Sequence, residues 1–404
     1  MPADAVAAVQ PAEAEGFQTD RVVTISAAHA VHDTYTGFLP ALLPAFIENL
    51  SLSKTEAGLL TVFNQAPWLL QPVIGHLADR ASMRYFVILA PGVSATAMTL
   101  LGIAPSYAVL ALLLMVAGLS SATMHAVGPV MAGRVSGKSL GRGMGFWMVG
   151  GEMGRFLGPL VIATYFRLQP DSLAGLPWLM VGGWLASLLL FVRLRDVPAR
   201  TAGEGQGLPW RKALRGMGPF LLPLVGVVLV RAFVVTALTT YLPTFLTEEG
   251  AQLWLAGVAL SVLEAAGVAG ALLGGTLSDR MGRRRIILLS LVVTPFLMFA
   301  FLAALVWLQA GALVLFPILV LLGFSALSVT PVIMALVQES FPENRALANG
   351  VYMTIGFLTR TGAVLVLGSL GDLGGMRLAF AVSAVIPLLG LPFLSALPAR
   401  GARV

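Results

Sequence analysis

The chain has no cysteine in its 404 residues. Disulfides, thiolate nucleophiles and cysteine-ligated metal centres are therefore excluded. It is also poor in charge. Only 11% of residues are Asp, Glu, Lys or Arg, less than half the roughly 25% of a soluble domain. Four histidines are the whole supply of imidazole. No GxxxxGK[ST] loop is present, so the usual cradle for nucleotide phosphates is missing and ATP is not expected as the energy source. Residues 1–19 contain Asp4, Glu13 and Glu15 but no basic residue, the wrong charge for the start of a signal peptide. They are expected to form a disordered cytoplasmic tail.

What is there is apolar: 57% of the chain is hydrophobic, with a mean hydropathy of +0.88. A soluble core of this size cannot hide so much apolar surface, so the solvent is lipid. A membrane helix needs about 20 mostly apolar residues. Such stretches are predicted near 21–47, 55–77, 84–104, 107–133, 141–165 and 176–194, and again near 218–246, 252–277, 285–307, 311–338, 346–370 and 376–396. The expectation is an all-α membrane protein of twelve transmembrane helices. Residues 20–194 and 218–397 form two six-helix bundles, joined by a cytoplasmic linker over 195–217 and followed by a short tail over 398–404. The linker is marked by Pro198, Gly203, Gly205, Gly207 and Pro209.

The formal charge is +6, but the basic residues sit in short runs between apolar stretches rather than on one polar face. The partner they imply is a bilayer, not nucleic acid. With both termini in the cytoplasm, nineteen Lys and Arg face inside and three (Lys54, Arg167 and Arg377) face outside. Arg155, Arg231 and Arg360 remain within helices, which completes the 25. That asymmetry predicts cytoplasmic termini and a multi-pass protein of the bacterial inner membrane.

The two halves are diverged copies. Gly75-His-Leu-Ala-Asp79-Arg80 recurs as Gly275-Thr-Leu-Ser-Asp279-Arg280. Phe38-Leu39-Pro40 recurs as Tyr241-Leu242-Pro243, Gly128-Pro129-Val130 as Thr330-Pro331-Val332, and Gly151 with Arg155 as Gly356 with Arg360. Parallel repeats of this kind place a substrate site between the halves, near the midplane.

These residues resemble the major facilitator superfamily. Gly75-x-x-x-Asp79-Arg80 and the fuller Gly275-x-x-x-Asp279-Arg280-x-Gly282-Arg283-Arg284 are similar to that family's loop motif between helices 2 and 3 and again between 8 and 9. The resemblance covers about residues 20–397 and implies a monomeric transporter of two pseudo-symmetric six-helix bundles. A narrower likeness is to the fosmidomycin-resistance group of efflux proteins. It rests on His29-x-x-His32-Asp33, Gln71-Pro72-Val73-x-Gly75, Met124-His125, Val149-Gly150-Gly151-x-x-Gly154 and Gln338-Glu339-x-Phe341-Pro342. That group's recognised drug is a small phosphonate anion. Ala126-Val127 stand where the group usually has Pro-Glu. Gly145, Gly154 and Gly158-Pro159 resemble the fifth-helix motif of drug/proton antiporters, with Ile162-Ala163 in place of its final glycines. The Arg those antiporters carry on helix 4 is here Leu114, so another ionisable group must carry protons.

Ionisable groups at membrane depth are costly and so mark function by default. His29, Asp33, Thr36 and Pro40 recur at helical spacing, with His32 one step to the side, and should face a central cavity. Asp33 is the expected proton carrier, tuned by His29 and His32, with Glu152 and Glu264 as further proton-coupling candidates. The plainer reading is that Asp33 only accepts a hydrogen bond. The two histidines, Asp33 and His125 also have the spacing of a metal site, but no other ligand cluster supports one and no metal is expected.

Arg155, Arg231 and Arg360 are candidates for an anionic substrate, because a guanidinium fork binds two oxygens at once. The same three arginines serve equally well as members of structural ion pairs, with Glu152 and Glu264 as partners. His125, Tyr35, Trp147 and Tyr241 are candidate cavity walls. Asp79, Arg80, Asp279, Arg280, Arg284 and Glu339 are the expected conformational lock. The leading expectation is a proton-driven antiporter exporting a small anionic or amphiphilic compound, with the proton gradient in place of a cofactor. The alternative is a proton-coupled symporter importing an organic anion. No enzyme site is legible.

Overall fold

The computed structural model describes residues 16–71, 73, 74, 77, 84–137, 139–170, 172–197, 210–307, 312–341 and 345–397. The expected tail before residue 16, most of the linker, the last seven residues, and Asp79 and Arg80 lie outside them. The described residues are helical throughout and contain no strand.

Among the described residues, twelve helices cross the molecule. In the first half, α1 is Thr19–Thr36 continued by Leu39–Leu50, α2 is Lys54–Gln65 continued by Ala66–Leu70, and α3 is Arg84–Leu100. They are followed by α4 (Tyr107–Val135), α5 (Leu140–Leu168) and α6 (Met180–Leu194). In the second half, α7 is Trp210–Thr236 continued through Ala237–Tyr241 to Leu242–Glu248. Then come α8 (Leu253–Met281), α9 (Arg283–Trp307) and α10 (Ala312–Leu327 with Val329–Ser340). One helical run, Arg345–Val385, is broken at Gly374 and Gly375, where Gly375 takes a φ of 78°. This break separates α11 (345–373) from α12, which starts at 376 and ends with Leu391–Ala396.

Length and hydropathy alone pick out 8 long apolar stretches among the described residues. The shortfall has physical causes. Gly37 and Phe38 interrupt α1, the far end of α2 is only partly described, and glycines with Glu152 and Arg155 dilute α5. The last stretch runs α11 and α12 together.

The first helix of each half is irregular at the same depth. In α1 the run breaks between Thr36 and Leu39. In α7 a π-turn occupies Ala237–Tyr241, immediately before Leu242-Pro243, the counterpart of Leu39-Pro40. Proline removes a backbone donor and crowds the preceding turn, so both helices depart from α geometry where the repeat places it.

Each half has its own apolar core. One gathers Phe38, Leu42, Phe46, Leu60, Met98, Leu114 and Phe166. Its counterpart gathers Leu238, Leu242, Phe245, Leu263, Phe301 and Phe380. Leu112, Trp178, Leu185, Leu188, Leu222 and Phe296 point outward, each more than half exposed. In water such a surface would aggregate; here it faces lipid.

Residue 18, the turn after α4 and the end of α6 share one face, called here the terminal face. Gln18 N donates to Val135 O at 2.9 Å, and Arg21 pairs with Asp196 at 2.7 Å. The opposite face is where the halves meet. Lys54 Nζ reaches Glu248 Oε1 at 2.5 Å and donates to Gly371 O at 2.9 Å. Asp372 accepts from Lys54 N at 2.6 Å, Thr55 N at 3.1 Å and Thr55 Oγ1 at 2.6 Å. One carboxylate from α11 thus caps the start of α2 across the gap, where free N–H groups and the helix dipole favour negative charge. Tyr241 Oη donates at 3.2 Å to Lys54 O and at 3.0 Å to Val364 O. The Arg167 guanidinium lies over the Trp254 ring, 5.0 Å from its centroid. Among the described residues, no ion pair joins the halves at the terminal face. Among the described residues, the halves are tied together at the opposite face and carry no such ties at the terminal one.

Candidate functional site

The site begins with glycine. On α5, Gly150, Gly151, Gly154 and Gly158 lie against α1. A Cβ on Gly154 would sit 2.6 Å from Ala30 O and 2.6 Å from Asp33 Cβ, and one on Gly151 would sit 2.6 Å from His29 Cε1. Only hydrogen fits there, so the backbones approach closely. That approach brings Trp147 of α5 onto His29 of α1, with the rings stacked at a centroid distance of 3.7 Å and an angle of 15°.

His29 and Asp33 are one turn apart on α1 and share a face. His125 comes to them from α4. His29 Nε2 lies 3.3 Å from Asp33 Oδ2, His125 Nε2 lies 3.6 Å from the same oxygen, and the two Nε2 atoms are 3.3 Å apart. His32 Nε2 is 4.0 Å from Asp33 Oδ1, on a fully buried ring. His29 and Asp33 are nearly buried, whereas the His125 side chain is 26% exposed and opens toward the cleft.

Between the halves, at the level of Asp33, lies a second group. Arg155 of α5 donates to Glu152 Oε2 at 2.6 Å and approaches Glu264 Oε2 of α8, in the other half, at 4.0 Å. Arg360 of α11 lies within electrostatic reach of Glu264. Its guanidinium donates to Thr239 Oγ1 at 3.2 Å and Thr240 Oγ1 at 3.4 Å, while its Nε is buried without a partner. The two arginines that correspond in the repeat therefore flank one carboxylate. Arg155 stays 49% exposed to the cleft.

The remaining candidates lie elsewhere. Arg231 is buried and donates to Ala326 O at 3.0 Å, with Thr330 Oγ1 at 3.5 Å. Tyr35 donates to Leu179 O at 2.5 Å inside the first bundle. Tyr241 belongs to the seal. Near the terminal face, Glu339 and Asp279 both pair with Arg283, at 2.7 and 2.6 Å. Arg283 is the residue the sequence reading missed. Three consecutive arginines follow Gly282, and the turn at that glycine, with a φ of 95°, brings the first of them back to Asp279 across the break between α8 and α9.

Residues 25–364 match the Major Facilitator Superfamily. The fosmidomycin resistance protein of Escherichia coli (strain K12) is 26% identical over 378 residues, 91% of this chain and 90% of that one. An uncharacterized MFS-type transporter of Bacillus subtilis (strain 168), YfnC, is 26% identical over 391 residues, 92% of this chain and 91% of that one. Among solved structures, an inward-facing, occupied bacterial homologue of the human lysosomal transporter Spinster has a TM-score of 0.77 at 16% identity, covering 94% of this chain and 97% of the other. A D-xylose–proton symporter has a TM-score of 0.71 at 16% identity, covering 95% and 98%. At these identities the structural likeness speaks to the fold.

Proposed function

This chain belongs to the major facilitator superfamily, a multi-pass membrane transporter rather than an enzyme, and on that premise we propose that it moves a small organic anion, coupled to protons, out of the cell. The observation that carries the reading is the pair Arg155 and Arg360, one from each half, set around Glu264 between the bundles. A phosphonate or carboxylate bridging two guanidiniums would join the halves as Glu264 does, and would hold them together while the cleft changes sides. Placing the terminal face in the cytoplasm, as the arginine distribution favours, makes this conformation the loading one. The export direction follows the likeness to a protein named for resistance to a drug.

Glu264 also favours a second reading. An anion entering between Arg155 and Arg360 competes with the Glu264 carboxylate, and Glu152 beside it adds to the repulsion. Protonating Glu264 removes the competitor. Anion and proton then travel together, which with an inward proton gradient is import.

Liposomes separate the two. With an imposed pH gradient, internal pH is followed while a phosphonate such as fosmidomycin is added. Opposite movement of proton and anion establishes antiport, movement in the same direction establishes symport, and no substrate-dependent proton flux removes the coupling altogether. Arg360→Gln is expected to raise KM for the anion by about tenfold or more, the scale of one charge-assisted hydrogen bond. An unchanged KM would take Arg360 out of the site.

A further inference from the structure

We propose that His29, Asp33 and His125 form a binding site for one divalent transition-metal ion of the Zn2+ or Co2+ class. The inference stands apart from the anion reading, since none of its ligands belongs to the Arg155–Glu264–Arg360 group.

The argument starts with hydrogen atoms. His29 Nδ1 is 3.0 Å from Trp147 O, and His125 Nδ1 is 2.9 Å from Ser121 O. A carbonyl oxygen only accepts, so each Nδ1 must carry the proton. With both rings neutral, the form a metal ion requires, each Nε2 is then left with a bare lone pair. These two lone pairs and Asp33 Oδ2 converge, with mutual distances of 3.3, 3.3 and 3.6 Å. Three acceptors with no donor among them repel one another, and a cation at their centre turns that repulsion into attraction.

Distance selects the cation. A proton shared between an imidazole and a carboxylate draws N and O to about 2.7–2.9 Å, and every edge of this triangle is longer. A tetrahedral Zn2+ with bonds of about 2.0–2.1 Å sets its ligand atoms about 3.3–3.4 Å apart. Two sides of the triangle have that size, and the third, at 3.6 Å, is slightly longer. Its outer shell also fits, because metal-bound imidazoles characteristically give their other N–H to a carbonyl, which fixes tautomer and ring plane. The Trp147 ring stacked on His29 holds that plane further. Two imidazoles with one carboxylate favour Zn2+, Co2+ or Ni2+ over Mg2+ or Ca2+, which prefer oxygen sets. Among the described residues, this is the one group of three or more His, Asp or Glu whose donor atoms close to within 4.8 Å.

His125 is the most exposed of the three ligands, so the fourth position is expected on its side. Water or an oxygen of a cleft-bound molecule can take it. Asp33 Oδ1 is buried without a partner and can turn toward the same ion. The charge of Arg155, which acts on Asp33, is offset by Glu152 and Glu264.

The test uses the full-length chain without a histidine tag, in detergent, after treatment with a chelator. Co2+ is titrated and its visible ligand-field bands recorded, and Zn2+ is then added as competitor. The expected result is one Co2+ per chain with the intense bands of tetrahedral coordination, lost on stoichiometric displacement by Zn2+. Asp33→Asn and His125→Gln should each weaken binding by about 100-fold. Helicity and gel-filtration elution identify variants that fold. Should either variant misfold, unmodified protein still decides the matter through stoichiometry and band intensity. No tetrahedral spectrum in unmodified protein, or binding that a folded Asp33→Asn leaves unchanged, overturns the proposal. Anion transport is read separately, so a failed metal titration leaves that question untouched.

Discussion

Asp33 shows how far a single residue could be read from the sequence. Its place on a polar stripe with His29 was legible from helical spacing alone, because i and i+4 share a face whatever the neighbours are. That His125 would complete a triangle with them was not, since the meeting depends on α4 and α1 crossing at one depth. The glycines of α5 are what allow α1 to approach. Replacing Gly154 by Val forces atoms into Ala30 O and Asp33 Cβ, and overpacking of this kind costs about 1–3 kcal/mol. Gly154→Val should therefore lower the thermal midpoint in detergent, whereas Gly145→Val, with nothing within 4 Å of its Cβ, should leave it unchanged. Arg231 marks the limit of such reading. Its charge called for a partner in the sequence, and Glu264 was a candidate for it or for Arg360, yet a backbone carbonyl and a threonine satisfy it. Periodicity says which way a residue points on its own helix, not which helix stands opposite.

At the scale of the helices, the expected spans and the observed ones agree closely, because runs of about 20 apolar residues are imposed by bilayer thickness. The breaks inside α1 and α7 were not expected, although Pro40 and Pro243 stood in plain sight. A proline near a helix start is tolerated as readily as one that breaks it, and only the three-dimensional course separates the two cases. The loop between α8 and α9 carries its own prediction. Arg283 links the end of α8 to Glu339 at the end of α10, while no ion pair is described for Arg280. Arg283→Ala should slow transport severalfold, Arg280→Ala should not, and initial uptake rates in liposomes compare them. Equal losses in both would mean that the loop acts through its net charge alone.

For the whole molecule, the seal at the opposite face is the energetic counterweight to the open cleft. Its bonds are few and centre on Asp372, so one substitution should tip the balance. The absence of cysteine allows paired labels to be introduced with nothing to remove. With labels at Ser51→Cys and Ala251→Cys, spin–spin distances should report a single short population in the parent chain and a second, longer one after Asp372→Asn. An unchanged distribution would mean that α5 and α8, through Gly257 and Arg167 with Trp254, hold the face shut without Asp372. The duplicated architecture was legible because polar loop residues repeat at a nearly fixed offset. Which side stands open was not, since one sequence encodes both conformations and the balance between them is a matter of a few bonds.

The matched irregularities in α1 and α7 bear on how such a machine moves. If each half were a stiff block, opening the sealed face would have to drag the entire first helix of each bundle with it. A helix interrupted partway behaves instead as a jointed rod. The segment beyond the joint, from Leu39 in one half and Leu242 in the other, can tilt while the segment before it keeps its footing. Asp33 stands on the footed part of α1, and Glu248 on the tilting part of α7. The sealed mouth can then part by a local hinge well before the triangle of His29, Asp33 and His125 is disturbed, so gate and triangle need not move on the same clock.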